Sequence, residues 1–320
     1  MPQRSFRPRR RGRTAGNGTM AVTKVLHVSD VHLEDGFPGV PLSSFLNKRV
    51  VGLANLRFRR RRVFADAEQK VEALARFSKE QGVDLVICTG DYTALGTEPE
   101  IAYARKIIEP LTHAPLGFFT VPGNHDLYLR DTVEAGWFDQ HFGALMRTEL
   151  PEYSVDGVWP QVWFPADGLA LIGINSARAN PKPTYSSGRI PDDQLDALAQ
   201  ILDDPRLFDP FVMIATHYAP RLANGRPDRP AHGLENADEL LQISAAARNG
   251  AILHGHIHWR YHVRIPETPL DLFCSGSTTH AGREGLWVYE IGGGRATATP
   301  GSWDQTRYVL EPDGRVDLNP

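Results

Sequence analysis

The sequence predicts an α/β protein with layered sheets. Eight short apolar runs end in small or polar residues, as buried β-strands commonly do. Longer segments with helical periodicity separate these runs in the first half of the chain. The last third, from about residue 251, is mostly strand-like with glycine-rich turns. Alternating strands and helices are typical of sheets that helices cover, so the pattern favours an α/β body.

The predicted strands follow the apolar runs in chain order. They cover residues 25–28, 85–89, 117–121, 169–174, 211–216, 251–254, 270–274 and 286–291. Helices are predicted over residues 66–81, 99–108 and 192–202. The first helix has one apolar stripe and ends near Gly82, and the third begins after Pro191 with acidic residues in its first turn. The stripe consists of Val71, Leu74, Ala75 and Phe77.

The composition is that of an ordinary globular protein, apart from a basic N-terminal segment. The chain has 320 residues, of which 41% are hydrophobic and 23% charged, enough to bury a sizeable core. Residues 1–20 contain six arginines and no acid, so removing those six from the net charge of −3 leaves −9 for the remainder. This segment has few apolar side chains to offset the entropy of ordering, and we predict a disordered basic tail.

The tail has two interpretations. It is a solvated arm or an over-long gene start with Met20 as the true initiator, or else a tether for nucleic acid or an anionic membrane. For residues 21–320 we predict one domain, because the sequence shows neither an internal repeat nor a convincing linker.

Features of secretion or membrane insertion are not apparent in the sequence. The basic tail is followed by Lys24, His27 and Asp30 rather than by the apolar stretch of a signal sequence. A run of about 20 apolar residues is lacking. Cys88 and Cys274 each lie in an apolar run, as buried thiols do. We therefore expect a cytoplasmic protein, with peripheral contact to an anionic membrane as an alternative.

Five clusters of potential metal ligands follow predicted strands. They are Asp30-Val31-His32, Gly90-Asp91, Gly123-Asn124-His125-Asp126, His217 and Gly255-His256-Ile257-His258. Ligands of open α/β sheets bind at the carboxyl ends of the strands, where all five clusters lie. In an extended segment, Asp30 and His32 would point the same way and converge on one ion. Mixed carboxylate, amide and imidazole ligands suit Mn, Fe or Zn, and the lack of thiolates argues against a purely structural zinc.

This ordered series resembles the calcineurin-like metallophosphoesterase superfamily over residues 25–258. The resemblance implies an αββα sandwich, in which two packed mixed β-sheets are flanked by helices. It also implies two divalent or trivalent metal ions. The first ion would be held by Asp30, His32, Asp91 and His258. The second would be held by Asp91, Asn124, His217 and His256, with Asp91 as the bridge.

The histidines outside the ligand set receive different interpretations. By resemblance His125 faces the substrate, where it stabilises the phosphoryl charge or protonates the leaving oxygen. Asp126 could orient the His125 ring through a hydrogen bond, or simply cap the following turn. His27 is expected in the core, and His254 is expected to support the last motif or to pack. The remaining histidines match no motif and are interpreted as surface or structural: His113, His141, His232, His262 and His280.

A basic insert at about residues 36–65 separates the first two motifs. Its segment 47–64 carries seven lysines and arginines among apolar residues. Such an insert can hold a polyanionic substrate through guanidinium groups, for which Arg57, Arg59 and Arg60 are the candidates, or rest on an anionic membrane. Alternatively, it is a solvated helix whose arginines pair with the acidic body. The expected partner is a phosphorylated small molecule or a lipid-linked nucleotide, and the oligomeric state stays open.

The sequence therefore predicts a hydrolase acting on phosphoric ester or anhydride bonds. A hydroxide bridging two metal ions would cleave a phosphomonoester, phosphodiester or pyrophosphate. Alternatives by resemblance are a cyclic-nucleotide phosphodiesterase and a UDP-2,3-diacylglucosamine-type pyrophosphatase at the membrane surface. A nuclease is disfavoured because the body is acidic and its aromatic residues are not interleaved with basic ones. A non-catalytic scaffold of the same fold is disfavoured because no ligand position is missing.

Overall fold

Two mixed β-sheets packed against each other form the centre of the structure. The computed structural model describes residues 22–318, except residues 35, 38–39, 42–44, 46, 56–60, 181 and 183. The predicted basic tail and the candidate substrate arginines Arg57, Arg59 and Arg60 thus lie outside the described residues, and both stay predictions.

The strands are short and spread along the whole described chain. They are β1 (Thr23–Val28), β2 (Leu85–Cys88), β3 (Gly117–Thr120), β4 (Gln161–Ala166), β5 (Leu169–Gly173), β6 (Phe211–Ala215), β7 (Gly250–His254), β8 (Arg260–Val263), β9 (Asp271–Ser275), β10 (Leu286–Gly292), β11 (Arg295–Trp303), β12 (Tyr308–Leu310) and β13 (Val316–Asp317). The helices are α1 (Lys48–Asn55), α2 (Arg61–Val63), α3 (Ala67–Glu80), α4 (Glu98–Ile107), α5 (Arg130–Ala135), α6 (Trp137–Phe142), α7 (Asp192–Leu202) and α8 (Ala237–Ser244).

Each sheet combines parallel strands with antiparallel ones. The first has the order β12-β11-β10-β1-β2-β3, with β13 also paired to β11. Its strands β1, β2 and β3 are parallel, and β10 runs antiparallel to β1. The second has the order β4-β5-β6-β7-β9-β8, with four parallel central strands and antiparallel edges. This confirms the expected sandwich of two mixed sheets.

Successive side chains along the strands of the second sheet point to opposite faces, and this alternation explains how the sheets and helices are layered. In β5 and β6, Leu171 and Met213 belong to the core shared with the first sheet. Their neighbours Ile172 and Ile214 face the opposite side, where the apolar residues of α7 and α8 cover them. The first sheet is covered by α3 through the predicted stripe around Leu74. Both faces of the central strands are therefore buried, as their apolar runs required.

The eight predicted strands and three predicted helices are confirmed, with ends within two residues of those predicted. Sequence reasoning missed other elements, including β4, β8, β11 and the helices α1, α5, α6 and α8. Strand β11 has no run of large apolar side chains, and α5 and α6 each have only six residues. Short or small-residue elements carry too little periodicity to be recognised. Among the described residues, no helix combines the length and apolarity needed to cross a membrane.

Candidate metal centre

The five predicted clusters meet at one edge of the two sheets. Asp30 follows β1, Asp91 follows β2 and Asn124 follows β3 in the first sheet, while His217 follows β6 and His256 follows β7 in the second. Backbone hydrogen bonds tie these loops together, from Asp30 N to Gly90 O (2.9 Å) and from Gly255 N to His217 O (3.0 Å). The prediction that the clusters converge is therefore correct.

The glycines of the motifs allow the loops to approach closely. A Cβ on Gly123 would lie 2.2 Å from Asp91 Oδ1, and one on Gly255 would lie 1.9 Å from Ser29 Oγ. Gly90 has φ +94°, and its Cβ would lie 2.4 Å from Gly123 N. Any side chain at these positions would push the ligand-bearing loops apart.

Five of the seven predicted ligands have a left-handed backbone. Their φ angles are 54° (Asp30), 45° (His32), 59° (Asp91), 70° (His256) and 59° (His258). The expectation that Asp30 and His32 lie in an extended segment is thus wrong, because each turns sharply at its own Cα. Such conformations cost roughly 1–3 kcal/mol each, although Asp and His tolerate them better than most residues. Clustered strain of this kind indicates a functional site.

One group of ligand atoms matches the predicted first metal site. Atoms of Asp30, His32, Asp91 and His258 all lie within 4.8 Å of one another. His258 Nε2 is 3.1 Å from both Asp30 Oδ1 and His32 Nε2. Burial raises the pKa of Asp30, but the neighbouring His258 outweighs it and keeps that pKa below its usual value. Asp30 Oδ1 is buried, and its contacts are with the imidazole nitrogens of His258 (3.1 Å) and His32 (3.8 Å) rather than with a backbone donor. A cation at the centre of this group would satisfy it, so these residues fit a metal ion.

A second group shares Asp91 with the first. Asn124 Oδ1 lies 3.1 Å from His217 Nε2 and 2.9 Å from His256 Nδ1. Asp91 Oδ2 lies 3.5 Å from His217 Nε2 and 3.8 Å from His32 Nε2. A single carboxylate oxygen therefore faces both groups, which is the arrangement that a bridging ligand requires.

Backbone carbonyls select the nitrogen that each histidine presents. His32 Nδ1 donates to Thr93 O (2.9 Å) and His217 Nδ1 donates to Thr89 O (2.7 Å), so Nε2 of both rings faces the centre. His256 is reversed, because its Nε2 donates to the His232 carbonyl (2.9 Å) and its Nδ1 faces Asn124. A carbonyl only accepts, so these contacts fix the tautomers in a form suited to metal binding.

Sequence reasoning missed the residues that support His256. The His232 ring lies 4.1 Å from the His256 ring, and its Nδ1 lies 2.5 Å from Asp228 Oδ2. Asp228, His232 and His256 also form a three-residue group with ligand-like spacing. Because His256 Nε2 already donates to His232, we assign this group to the support of His256. His232 was interpreted as surface or structural because no motif surrounds it in the sequence.

The other histidines divide as follows. His27 and His254 are fully buried, and burial lowers their pKa values to about 3 and about 4, so both are neutral core residues. His280 lies 5.8 Å from the His258 ring, at the edge of the centre. The remaining three pair with acids outside the ligand set: His113 with Glu109, His141 with Glu98 and His262 with Asp271.

His125 lies beside the centre, whereas Asp126 has a different role from the one predicted. His125 N donates to Asp91 Oδ1 (2.7 Å), and its Nδ1 lies 2.6 Å from Ala94 O. The buried Asp126 carboxylate accepts from the backbone N–H groups of Gly123, Asp91, Tyr92 and Thr93. The prediction that Asp126 orients the His125 ring is therefore corrected: this carboxylate ties the second motif loop to the third. The alternative of a capping role is closer to the observation.

A polar cleft of about 610 Å³ opens over the centre. Besides Asp91, Asn124, His125, His256 and His258, its walls include one residue of the insert and residues of five loops. These are Lys48, Tyr128, Thr184, Tyr185, Ser186, Leu222, Asp228, Arg229, His232, Ile257 and Arg283. The insert thus does reach the cleft, through Lys48. Its Arg49 is buried and pairs with Asp131.

Two solved structures share this fold. A dimetal phosphatase from Danio rerio is 11% identical, with a TM-score of 0.61 over 90% of this chain and 98% of its own. Purple acid phosphatase PPD1 from yellow lupin (Lupinus luteus) seeds is 11% identical, with a TM-score of 0.56 over 91% of this chain and 53% of its own. At such identities the likeness concerns the fold.

The family relationship comes from the sequence. No curated protein matches this chain. The family model for calcineurin-like phosphoesterases matches residues 23–260, about three quarters of the chain, and this range includes all seven predicted ligands. The chain therefore belongs to the calcineurin-like phosphoesterase family.

Proposed function

We propose that this protein hydrolyses phosphoric ester or anhydride bonds with the help of two metal ions. The observation that carries the proposal is the position of Asp91 Oδ2 between two ligand groups, at 3.8 Å from His32 Nε2 and 3.5 Å from His217 Nε2. The buried Asp30 Oδ1 supports it, because this atom faces the imidazole nitrogens of His258 and His32 and an ion can lie between these three atoms.

The ligand set suits a catalytic metal centre better than a purely structural one. When bound, a pair of cations polarises a phosphoryl oxygen, lowers the pKa of water and steadies the attacking and leaving oxygens. The chain supplies oxygen and nitrogen ligands, and no thiolate joins them among the described residues. Cys88 and Cys274 are buried, and burial raises the pKa of the Cys88 thiol to about 12 and the pKa of the Cys274 thiol well above its usual value. Mn, Fe and Zn are accordingly the candidate ions.

His125 is the residue that we assign to the reacting phosphate. Its backbone N–H holds Asp91 Oδ1, and its Nδ1 is committed to the Ala94 carbonyl. Nε2 is thus the atom that stabilises phosphoryl charge or transfers a proton to the leaving oxygen. The Tyr128 ring stacks on the His125 ring at 5.5 Å and 21°, which restricts its rotation.

Metal content and turnover provide the first experiment. Purified protein is stripped with a chelator, reloaded separately with Mn, Fe or Zn, and assayed by elemental analysis for bound ions. Turnover is followed with p-nitrophenyl phosphate, bis(p-nitrophenyl) phosphate, a cyclic nucleotide and a UDP-linked sugar, which separate the monoesterase, diesterase and pyrophosphatase alternatives. We expect two ions per chain and release of product from at least one of these classes.

Variants then test the ligand assignment. Asp91→Asn keeps the size of the bridging residue but removes its charge, and His217→Ala removes a ligand of the second ion alone. We expect turnover to fall by ~10²-fold or more in each, the scale of losing a group that stabilises transition-state charge. His113→Ala, whose side chain is 70% exposed and outside the centre, is the matched control. Folded, metal-loaded protein without turnover on any class would contradict the proposal and favour the scaffold.

A further inference from the structure

Three basic side chains line the cleft without a carboxylate partner among the described residues. They are Lys48, Arg229 and Arg283. Two other arginines on the loops around the cleft do have acidic partners, since Arg178 pairs with Glu235 and Arg221 pairs with Asp238. Lys48, Arg229 and Arg283 therefore place positive charge, without a carboxylate partner in the described part of the chain, on the wall of the cleft beside the metal centre.

Lys48 is held in a partly dehydrated position. Its ammonium donates to Asn180 O (2.9 Å) and Tyr185 O (2.8 Å), and it lies 4.8 Å from the centroid of the Tyr128 ring. An ammonium has three donors, so these two carbonyls leave one N–H for a ligand. Burial lowers the pKa of Lys48 to about 8, which leaves it largely charged at neutral pH. Removing a cation from water without a counter-ion is unfavourable, and a bound anion would relieve that cost.

The position of Lys48 relative to the metal centre is fixed by its neighbours. The next residue, Arg49, is buried and donates to Leu95 O (3.1 Å) and Asp131 Oδ1 (3.0 Å), which anchors α1 to the loop after Asp91. The Tyr128 ring under the Lys48 ammonium also stacks on His125. Lys48 therefore stands one aromatic ring away from the residue assigned to the reacting phosphate.

The acid on this wall does not neutralise the cations. Asp228 Oδ2 lies 2.5 Å from His232 Nδ1, and Asp228 Oδ1 accepts from the backbone N–H of Arg229 (2.7 Å). Its carboxylate is thus committed to holding the loop and the His232 ring. The guanidinium of Arg229 is exposed and available for a phosphate, which it can bind through two parallel hydrogen bonds.

We infer that the cleft binds a second phosphate of the substrate, with Lys48 and Arg229 as its principal contacts. The inference rests on the proposed function, in which the scissile phosphate lies at the metal centre. The substrate class is then a phosphoric anhydride, or an ester whose organic part carries a further phosphate. An ester with only one phosphate, bound at the metal centre, would leave Lys48 and Arg229 without an anion.

Binding measurements test the subsite without relying on turnover. Thymidine 5′-phosphate and thymidine 3′,5′-bisphosphate are titrated calorimetrically into the Mn-loaded protein, and inorganic pyrophosphate is a third probe. The bisphosphate and pyrophosphate distinguish a second phosphate carried across a sugar from one linked directly. We expect the wild-type protein to prefer at least one doubly phosphorylated probe over the monophosphate.

Two variants and two controls identify the contacts. Lys48→Met and Arg229→Met should each reduce that preference by ~10-fold or more, the loss of one charge-assisted hydrogen bond. Their effect on the affinity for the monophosphate should stay within ~3-fold, which is about half of the free energy of a 10-fold change. Lys79→Met and Arg76→Met remove exposed charges from α3 and should change neither affinity.

The p-nitrophenyl ester of thymidine 5′-phosphate, with and without a 3′-phosphate, gives the matching kinetic measurement. The kcat/KM advantage of the 3′-phosphorylated ester should fall in both cleft variants, through KM. An equal loss on both esters, or an unchanged preference in the titrations, would overturn the subsite. Absence of turnover on these esters and on every class of the first experiment would instead refute the proposed function, and the titrations would still decide the subsite.

Discussion

Replacing Gly123 by alanine gives a quantitative test of the metal centre. The new Cβ would lie 2.2 Å from Asp91 Oδ1, 2.3 Å from Asp91 N and 2.7 Å from Asp91 Cγ. Ordinary contacts begin at 3.4 Å, so the carboxylate and the Cβ must separate by more than 1 Å. Because Asp91 Oδ2 faces both ligand groups, the substitution displaces the one atom that both ions need.

The expected loss is large and specific. A displacement of about 1 Å in a reacting group can cost ~10²-fold in rate, and we expect at least that fall in kcat for Gly123→Ala. Elemental analysis should find fewer than two ions per chain. The sequence offers a matched control in Gly143, whose Cβ would meet nothing within 4 Å and whose φ is −55°. Gly143→Ala should retain both ions and the wild-type kcat, with a stability gain of up to ~1 kcal/mol.

The measurements are metal stoichiometry, kcat on the best chromogenic ester and thermal unfolding of both variants. Unfolding separates a local effect from a general loss of structure, because Gly123→Ala should still unfold cooperatively. If Gly123→Ala bound two ions and retained wild-type kcat, the assignment of Asp91 as the bridging ligand would be refuted.

Three further predictions follow from individual contacts. Asp126→Ala removes the acceptor of four buried backbone N–H groups and should lower the free energy of unfolding by ~3 kcal/mol or more. A change below ~1 kcal/mol in urea titrations would contradict the assignment of Asp126 as the link between the two motif loops. Metal loading at ~100 times the dissociation constant should raise that free energy by about 2.7 kcal/mol in the wild type and by clearly less in Asp91→Asn, as calorimetry can measure. The Lys48 ammonium is charged below its lowered pKa of about 8 and loses its charge above that pH. The KM for a doubly phosphorylated substrate should therefore rise above a pH of about 8. A constant KM from pH 7 to about 9 would contradict the role of Lys48 in binding the second phosphate. Lys48→Arg should remove this dependence, because a guanidinium stays charged.

The convergence of the proposed ligands was predictable because these residues follow strong strand signals and have side chains that can bind a metal ion. Apolar runs such as residues 85–88 end at the same sheet edge, so the side chains after them converge whatever the loops do. The local conformation was not predictable in the same way. Asp30 and His32 were expected in an extended segment, yet both are left-handed, since the crowded loops and not local propensity set their φ angles.

Residues whose role depends on tertiary contacts could not be identified from the sequence. His232 stands alone between a proline-rich loop and α8, and its importance comes only from its contact with His256, 24 residues away. Asp126 was recognised as part of a motif but given the wrong partner, because a carboxylate next to a histidine can equally well bind backbone N–H groups. Lys48 lies in the insert that the sequence associated with the substrate, but the residues predicted to bind the substrate were the arginines that follow it.

The ligand set is divided between the two sheets, and this division has a consequence for dynamics. Loops of the first sheet carry four of the proposed ligands and loops of the second carry three. The His217–Thr89 hydrogen bond also joins the two sheets at this edge. Bound cations would therefore act as a cross-link between the layers. Amide hydrogen exchange at the ligand-bearing ends of the strands should slow when ions bind, while exchange at the opposite ends stays nearly unchanged.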